Sequence, residues 1–516
     1  RWNSEMGSVP RALVPPCGSA VGLGFRLCGM APSITPSPIR WRSDFDKFVV
    51  VANFQRRGWV RWNSENDEPW NVYWANVHTT REIFAPENGI RLGDNQHVNH
   101  FPNHYELTRK DLLVKNVKRY RKDLERNAIR IGCDPTTASN DASAAFDFLP
   151  PTFVLPGEYA LFVEAFRKES KTVVAQGDES NGTKDNGKQT PNERARHRIG
   201  SAGGSRMVEN NIAKPKTKPK TKHPTWIVKP VGKAQGKGIF LINSLAQVRR
   251  WKDAHGLGGG ANGIRDEKFV VSKYVDDPYL VGGRKFDLRV YVVVTGFKPL
   301  KAWVARAGFA RFCVRKYVPV NSGNDGDLND HFAHLTNVAI QKNHGAYSET
   351  HGGKWSLENL RVFLTGTRGL DATNALFTSL NAVILKSLRS VENVMHNDPH
   401  SFEVYGYDLL VDENLKPWLI EVNASPSLSA TTDDDRVMKL TVIRDALAVA
   451  VPSDRGVSAE KAWKRTTDRL ISGDVSWNGT ASNSTSVGCL DLLVDDATHA
   501  NGSARKKTFL TRSKTT

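Results

Sequence analysis

Apolar and polar positions divide the chain into patterned stretches separated by polar ones. The first patterned stretch begins near Phe45. Phe48–Phe54 is almost wholly apolar, and Trp59–Trp62 and Asn71–Trp74 read as short strands. From Leu107 to Leu124 apolar residues recur at helical spacing against a Lys/Arg face, which predicts an amphipathic helix. Together these predict a small N-terminal α/β domain over 44–115. A central domain over 116–275 follows, patterned again at Phe148–Phe166. Inside it, 168–222 is rich in Ser, Gly, Asn, Lys and Arg and nearly lacks large apolar side chains. Such a segment buries too little surface to offset its ordering entropy, so it is expected to be a disordered basic insert. From Trp226 onward the pattern is strand, glycine loop, helix and strand, repeated. Strand patterns fall at Trp226–Lys229, Ile239–Ile242, Phe269–Tyr274, Asp287–Thr295, Lys301–Ala305, Phe402–Leu410 and Pro417–Glu421. Helices are expected at Leu357–Leu364 and Asp371–Val394, completing a C-terminal domain over 276–453. Residues 1–43 and 454–516 lack the patterning and are expected to be a loose extension and a disordered tail.

Composition supports a folded chain and adds a charge. Of 516 residues 39% are hydrophobic and 9% aromatic, ample for buried cores, and the length suits two or three domains. No stretch approaches the roughly 18 consecutive apolar residues of a membrane helix, which predicts a soluble protein without membrane insertion. The net charge is +18 and the pI about 9.6. A field of that sign favours anionic partners: an acidic protein segment, nucleic acid or an acidic membrane surface. Part of the excess sits in the tail-like run Lys214, Lys216, Lys218, Lys220 and Lys222. Five cysteines are widely spaced without metal-ligand pairing, which fits a reducing cytosol. Neither an aromatic-and-basic RNA signature nor zinc-finger spacing is present, so nucleic acid is the poorer fit.

Two constellations carry chemistry. In Trp226–Phe240 a strand delivers Lys229 and a glycine-rich loop with Lys233 and Lys237 returns into a second strand. Gly232, Gly236 and Gly238 permit the close backbone approach that phosphate cradles need, and the lysines add point charges. The loop lacks the spacing of a Walker A motif. The second constellation is Tyr405–Asp412, a turn, then Pro417–Asn423. A hairpin there sets Asp408 beside Glu421, and Glu421 and Asn423, two apart, share a strand face. Three oxygen ligands converging beside apolar neighbours suit Mg²⁺. Between the two lie Gly282–Arg289, Arg311, His334–Asn337 and His351–Trp355. Phosphate loop, basic strand and acidic metal hairpin follow one another in the order of an ATP-grasp ligase.

Here a specific resemblance enters. Trp226–Phe240, Gly282–Tyr291, His334–Ile340 and Tyr405–Ser427 resemble the tubulin–tyrosine-ligase-like family. The wording of Lys229–Asn243, Val98–Asp111 and Pro417–Leu428 is similar to its polyglutamylase catalytic subunits, which work within a multi-subunit complex. The resemblance runs from about Asp44 to Pro452 and implies an ATP-grasp fold with ATP and Mg²⁺ as cofactors. It implies that Lys229, Gln235 and Gly236 hold ATP phosphates, with Lys285 and Asp287 also at the nucleotide. Ser272, Lys273, Tyr274 and Val275 would receive the adenine, and Thr336 and Asn337 would complete that site. Asp408, Glu421 and Asn423 would bind magnesium, and Arg311 and Lys354 the incoming glutamate. Lys229, Arg311 and Glu421 are the expected catalytic residues. The implied reaction adds L-glutamate to glutamate side chains of tubulin tails through an acyl phosphate, in the cytoplasm and cytoskeleton, at a ciliary axoneme or basal body. A ligase for glycine or tyrosine, a different acceptor, or an inactive microtubule-binding member remain alternatives.

Overall fold

The computed structural model describes residues 38–64, 69–179, 224–254, 268–320, 328–348, 353–451 and 486–497. Three sheets organise them. The N-terminal sheet is parallel, in the order β2-β1-β3-β4: β1 is Arg40–Ser43, β2 Val60–Arg61, β3 Val72–Trp74 and β4 His97–Val98. β1 lies within the expected loose extension of residues 1–43. Its Trp41 is buried, and that isolated anchor gives no periodicity to read in a polar stretch. Phe48–Arg56 is a helix whose buried Val49, Val50, Asn53 and Phe54 recur at helical spacing. So short an apolar run carries no period of its own that separates helix from strand.

The second sheet is antiparallel, in the order β5-β8-β6-β7: β5 is Thr152–Leu155, β6 Trp226–Pro230, β7 Phe240–Ile242 and β8 Phe269–Lys273. Phe162 and Phe166 of the helix Tyr159–Glu179 pack on Trp226 of β6. That helix runs past Lys168, where disorder was expected to begin. Apolar content measures core-forming capacity, whereas a helix already anchored at Phe162 propagates through residues of adequate helix propensity. The rest of the expected insert, 180–222, lies outside the described residues.

The large sheet has eight antiparallel strands. β9 is Leu280–Val281, β10 Arg284–Phe297, β11 Leu300–Phe312 and β12 Lys354–Ser356; β13 is Glu403–Val411, β14 Pro417–Asn423, β15 Ser486–Val487 and β16 Leu490–Asp495. The spine is β14-β13-β10-β11-β16-β15, with β12 paired to the end of β11 and β9 to the start of β10. On one face the helix Leu370–Glu392 buries Leu376, Phe377, Leu380, Val383, Ile384 and Leu388. On the other, the helices Asp433–Ala450 and Phe48–Arg56 close a second core around Tyr291, Val293 and Trp303. The N-terminal elements share both cores: Trp41 and Trp74 join the second, and Phe101, Leu107 and Leu113 the first. The boundary expected at 115 falls inside the helix Lys110–Arg130.

β15 and β16 correct the expectation of a disordered tail over 454–516 at these strands; 454–485 and 498–516 lie outside the described residues, as do 1–37 of the expected extension. β16 pairs with Lys301–Ala305 of β11, and Leu490 is fully buried. Six strand residues vanish from a compositional average over a long Ser/Thr/Asn-rich stretch. Among the described residues, no helix is long and apolar enough to cross a membrane.

Candidate active site

The site is built on the polar half of one strand face. Alternation turns Lys285, Asp287 and Arg289 of β10 to the same side. Register then sets Asp287 opposite Arg311 of β11, Arg289 opposite Asp408 of β13, and Asp408 opposite Glu421 of β14. All but Glu421 are buried, so their charges must be paired. Arg289 donates to both Asp408 oxygens, Nε to Oδ1 at 2.6 Å and Nη2 to Oδ2 at 3.1 Å. Arg311 Nη2 also donates to Asp408 Oδ2 at 2.8 Å, while its Nε donates to Asp287 Oδ1 at 2.8 Å. Burial alone would raise the Asp408 carboxyl, but the Arg289 and Arg311 guanidiniums hold it well below the usual carboxylate range. Burial likewise opposes charge on Arg311, and the Asp287 and Asp408 carboxylates hold it well above its ordinary value.

The facing wall comes from the second sheet. A cavity between the two is lined by Lys229, Ser272, Lys273, Tyr274 and Val275 on one side and Lys285, Asp287, Asp408 and Glu421 on the other. Thr336 and Asn337 close it. Thr336 Oγ1 donates to Asp287 Oδ2 at 2.7 Å, and Lys285 Nζ donates to Tyr274 Oη at 2.8 Å, 4.1 Å from that ring's centroid. Tyr274 Oη lies 2.9 Å from His334 Nδ1. The buried Gln341 side chain accepts from Val314 N at 2.7 Å and donates to Leu335 O, which pins the His334–Asn337 segment in place. Burial, joined by Lys110 beside Lys229 and by Lys229 beside Lys285, depresses the two ammoniums to about 8 each.

Gln235 and Gly236 both have left-handed backbones, at φ 61° and 79°. They fold against the Asn337 segment rather than line the cavity: a Cβ on Gly236 would stand 2.6 Å from Ile340 Cδ1 and 3.2 Å from Asn337 Oδ1. The left-handed backbone of Gly236 favours glycine, and a Cβ there would press on the tip of Ile340 and on the Asn337 side chain.

The metal assignment meets a mixed donor set. Glu421 is partly exposed, and its Oε1 lies 3.3 Å from Asn423 Nδ2 and its Oε2 3.5 Å from Lys110 Nζ. Among the described residues no three His, Cys, Asp or Glu side chains form a metal-binding group. The residues fit a magnesium ion held by two carboxylates and a carboxamide and completed by water and substrate phosphates. They do not form a closed protein cage.

Arg311 and Lys354 are register partners on β11 and β12. Neither lines the cavity, and each already has a carboxylate. Lys354 Nζ donates to Asp435 Oδ2 at 3.0 Å and Thr431 Oγ1 at 3.1 Å, and lies 4.8 Å from the Phe309 centroid. Buried Lys439 shares the same Asp435. Sequence reasoning assigned no role to Lys110, Arg289, His334, Asp435 or Lys439. Arg289 had a signal, since it alternates with Asp287 on a strand. Lys110 sat in a motif quoted for resemblance alone. Asp435 lies in the run Asp433–Asp435, which reads as ordinary acidic decoration of a helix N-terminus.

Comparison with known proteins places this geometry. The chain matches the Tubulin-tyrosine ligase family over residues 90–458. It is 41% identical over 445 residues to the Probable alpha-tubulin polyglutamylase Ttll1 of Tetrahymena thermophila, covering 84% of this chain and 91% of that protein. It is 36% identical to the Probable tubulin polyglutamylase TTLL9 of Rattus norvegicus, covering 85% of this chain and 84% of that one. A Caenorhabditis elegans relative, Probable tubulin polyglutamylase ttll-9, is 38% identical across 78% of this chain and 76% of its own. The glycine loop, the β10–β14 face and the start of the helix Lys110–Arg130 all fall inside the matched residues, and with them the protein belongs to the tubulin-tyrosine ligase family.

Proposed function

We propose that the protein is an ATP- and magnesium-dependent ligase that joins L-glutamate to glutamate side chains on tubulin tails. The observation that carries this reading is the cavity itself: buried Lys229 faces Asp408 and Glu421 across it, and buried Lys285 stands beside those carboxylates on their own wall. Two buried ammoniums beside a two-carboxylate face suit a magnesium-bound polyphosphate and little else of that size. The names of the relatives supply the acceptor and the amino acid.

In this reading Lys229 and Lys285 hold the phosphates, the Gln235–Gly236 turn supports them from behind the Asn337 segment, and Ser272–Val275 at the end of β8 takes the adenine. Asp287, Thr336 and Asn337 complete the nucleotide site. Magnesium on Asp408, Glu421 and Asn423 would neutralise phosphate charge. Arg289 keeps Asp408 ionised and oriented for that task. The acceptor carboxylate takes up the γ-phosphoryl as an acyl phosphate; the α-amine of glutamate attacks the acyl carbon and phosphate leaves. Preorganised charge and positioning supply the rate without a protein nucleophile. Arg311 and Lys354 hold the donor carboxylates. The Arg311 Nη1 group makes no hydrogen bond among the described residues, which leaves one arm of its fork for that contact. With such a substrate we infer a location in the cytoplasm on the cytoskeleton, at a ciliary axoneme or basal body, with non-catalytic subunits as companions.

The test is ADP release and label incorporation by the full chain with tubulin and, in turn, glutamate, glycine and tyrosine. Glutamate alone is expected to support turnover, and Glu421→Gln to abolish it while the protein keeps its far-UV signal and melting temperature. Equal incorporation of glycine or tyrosine would overturn the donor. Absence of turnover with every amino acid would overturn the ligase, and a fully active Glu421→Gln protein would overturn the metal site.

A further inference from the structure

The helix Lys110–Arg130 begins at the active site and then leaves it. Its first residue, Lys110, lines the nucleotide cavity, and Val114 lines both that cavity and a second, open groove on the outer side of the helix. The groove runs between this helix and the turn Val154–Glu158, with Lys268 on its far wall. Lys115, Lys118, Arg119, Lys122 and Arg126 recur at intervals of three and four residues, so one face of the helix is a continuous basic stripe along the groove.

The usual meaning of such a stripe is a solvated surface with its charges locally matched, and the pairings show where that reading stops. Three acids line the groove and each already has a cation. Asp111 pairs with Arg109 at 2.7 Å, Glu158 with Lys118 at 2.9 Å and Asp123 with Arg126 at 3.4 Å. Arg119 donates only to a backbone carbonyl, that of Ser390, at 3.4 Å. Lys115, Lys122 and Lys268 are exposed and have no acidic partner among the described residues. The floor between them is apolar, with Leu112, Val114, Leu155 and Pro156. Among the described residues no aromatic side chain lines it, so they offer nothing for a nucleic-acid base to stack on. From Lys110 to Arg126 the helix rises about 24 Å, the length of roughly seven residues of extended chain. Unmatched lysines at flexible reach, an apolar floor and an end at the reacting carboxylates describe a track for an extended acidic peptide.

We propose that this groove seats the acidic stretch of the acceptor polypeptide, a run of several glutamates, and feeds it past Lys110 to the site of reaction. The assignment deepens the ligase reading and rests on it for the identity of the acceptor. The lysines act as point charges that accept carboxylates at variable spacing, which suits a chain that lengthens as glutamates are added.

The test uses full-length protein and a fluorescent oligoglutamate peptide, read by anisotropy, alongside acceptor KM in the ADP-release assay. The charge-reversal triple variant Lys115→Glu/Lys122→Glu/Lys268→Glu is expected to weaken peptide binding and raise acceptor KM at least tenfold. ATP KM and turnover at saturating acceptor stay within twofold of wild type. The double variant Arg121→Glu/Arg130→Glu reverses exposed charges on the same helix outside the groove and is expected to change both readouts less than twofold. If the triple variant binds the peptide like wild type, or the double variant loses as much, the groove is not the acceptor track. Stronger dependence of phosphatidylserine-vesicle binding than of peptide binding on these lysines would overturn it in favour of a membrane surface. Peptide anisotropy needs no turnover. A wild-type protein that fails to ligate glutamate while the triple variant still loses peptide binding would therefore sink the ligase reading and leave the groove standing.

Discussion

Removing Arg311 would leave two buried carboxylates, Asp287 and Asp408, without the cation they share. Breaking a buried pair at one partner costs roughly 3–5 kcal/mol, because the stranded charge stays in the interior. Arg311→Ala is therefore expected to lower denaturant stability by that amount, and loss of activity in it says little about the donor. Lys354→Ala is the cleaner probe, since Asp435 keeps Lys439. It is expected to raise the KM for glutamate about tenfold, the scale of one charge-assisted hydrogen bond, with ATP KM unchanged. An unchanged glutamate KM would remove Lys354 from the donor contact. Lys229 and Lys285 give a pH signature with a definite sign. Both sit at about 8, so each is charged below that pH and neutral above it. Phosphate binding uses the charged form. In profiles of kcat/KM for ATP, which report the free enzyme, the value is expected to fall as pH rises through about 8. A flat profile from about pH 7 to 9 would show that these ammoniums do not hold the nucleotide. At this scale the pairing of Asp408 with Glu421 was legible, because a short turn fixes which residues of two strands stand opposite. Lys110 and Asp435 were not: the first meets Glu421 and the second Lys354 across long stretches of chain, and no local period encodes such a meeting.

Among elements, most strands that follow Trp226 were readable because they are apolar and bounded by turns. β11, expected over Lys301–Ala305, nevertheless runs on to Phe312, and the short β9 and β12 carry no pattern to read. β16 was not readable either, although the large sheet uses it as an ordinary member. Truncation after residue 453 would uncover the edge of β11 and strip the cover from Trp303 and Ala305. It is expected to cost at least about 3 kcal/mol, the scale of deleting one fully buried leucine with its surroundings. An exposed edge of that kind also invites aggregation on heating. A melting curve that superposes on wild type would show that β16 adds nothing. β11 carries a second element-scale test at Gly308. A Cβ there would stand 2.5 Å from the backbone oxygen of Arg289 and 2.7 Å from Leu357 Cδ1. Backbone cannot yield as a side-chain tip can, so Gly308→Ala is expected to destabilise by about 1–3 kcal/mol and to disturb Arg289 with it. Crowding of this sort depends on which strands become neighbours, and Gly308 in the sequence looks like any small residue in a strand.

For the whole molecule, the +18 charge was plain from composition, but its useful part was not. Ion pairs cancel cations and anions one for one and leave that excess untouched, so where it stands unmatched, as at the groove, depends on the fold. Acceptor KM is expected to rise several-fold between about 50 and 300 mM salt, as screening shortens from above 10 Å to below 8 Å. ATP KM should move far less, because Lys229 and Lys285, proposed to hold its phosphates, are buried. Salt-independent acceptor KM would argue against electrostatic capture. The three layers meet in β10, which carries Lys285, Asp287 and Arg289 at one end and Tyr291 and Val293 farther along the same face. Its other face, Phe286, Leu288, Val290 and Val292, belongs to the core beneath the long helix. Side chains on a strand alternate with a period of two, so one inserted or deleted codon early in β10 acts like a frameshift without a stop. The charges of Lys285, Asp287 and Arg289 would be turned into the hydrocarbon core, and Phe286 and Leu288 toward the cavity. Descendants of this gene can exchange residues here one at a time, but they inherit the length of this strand as a fixed quantity.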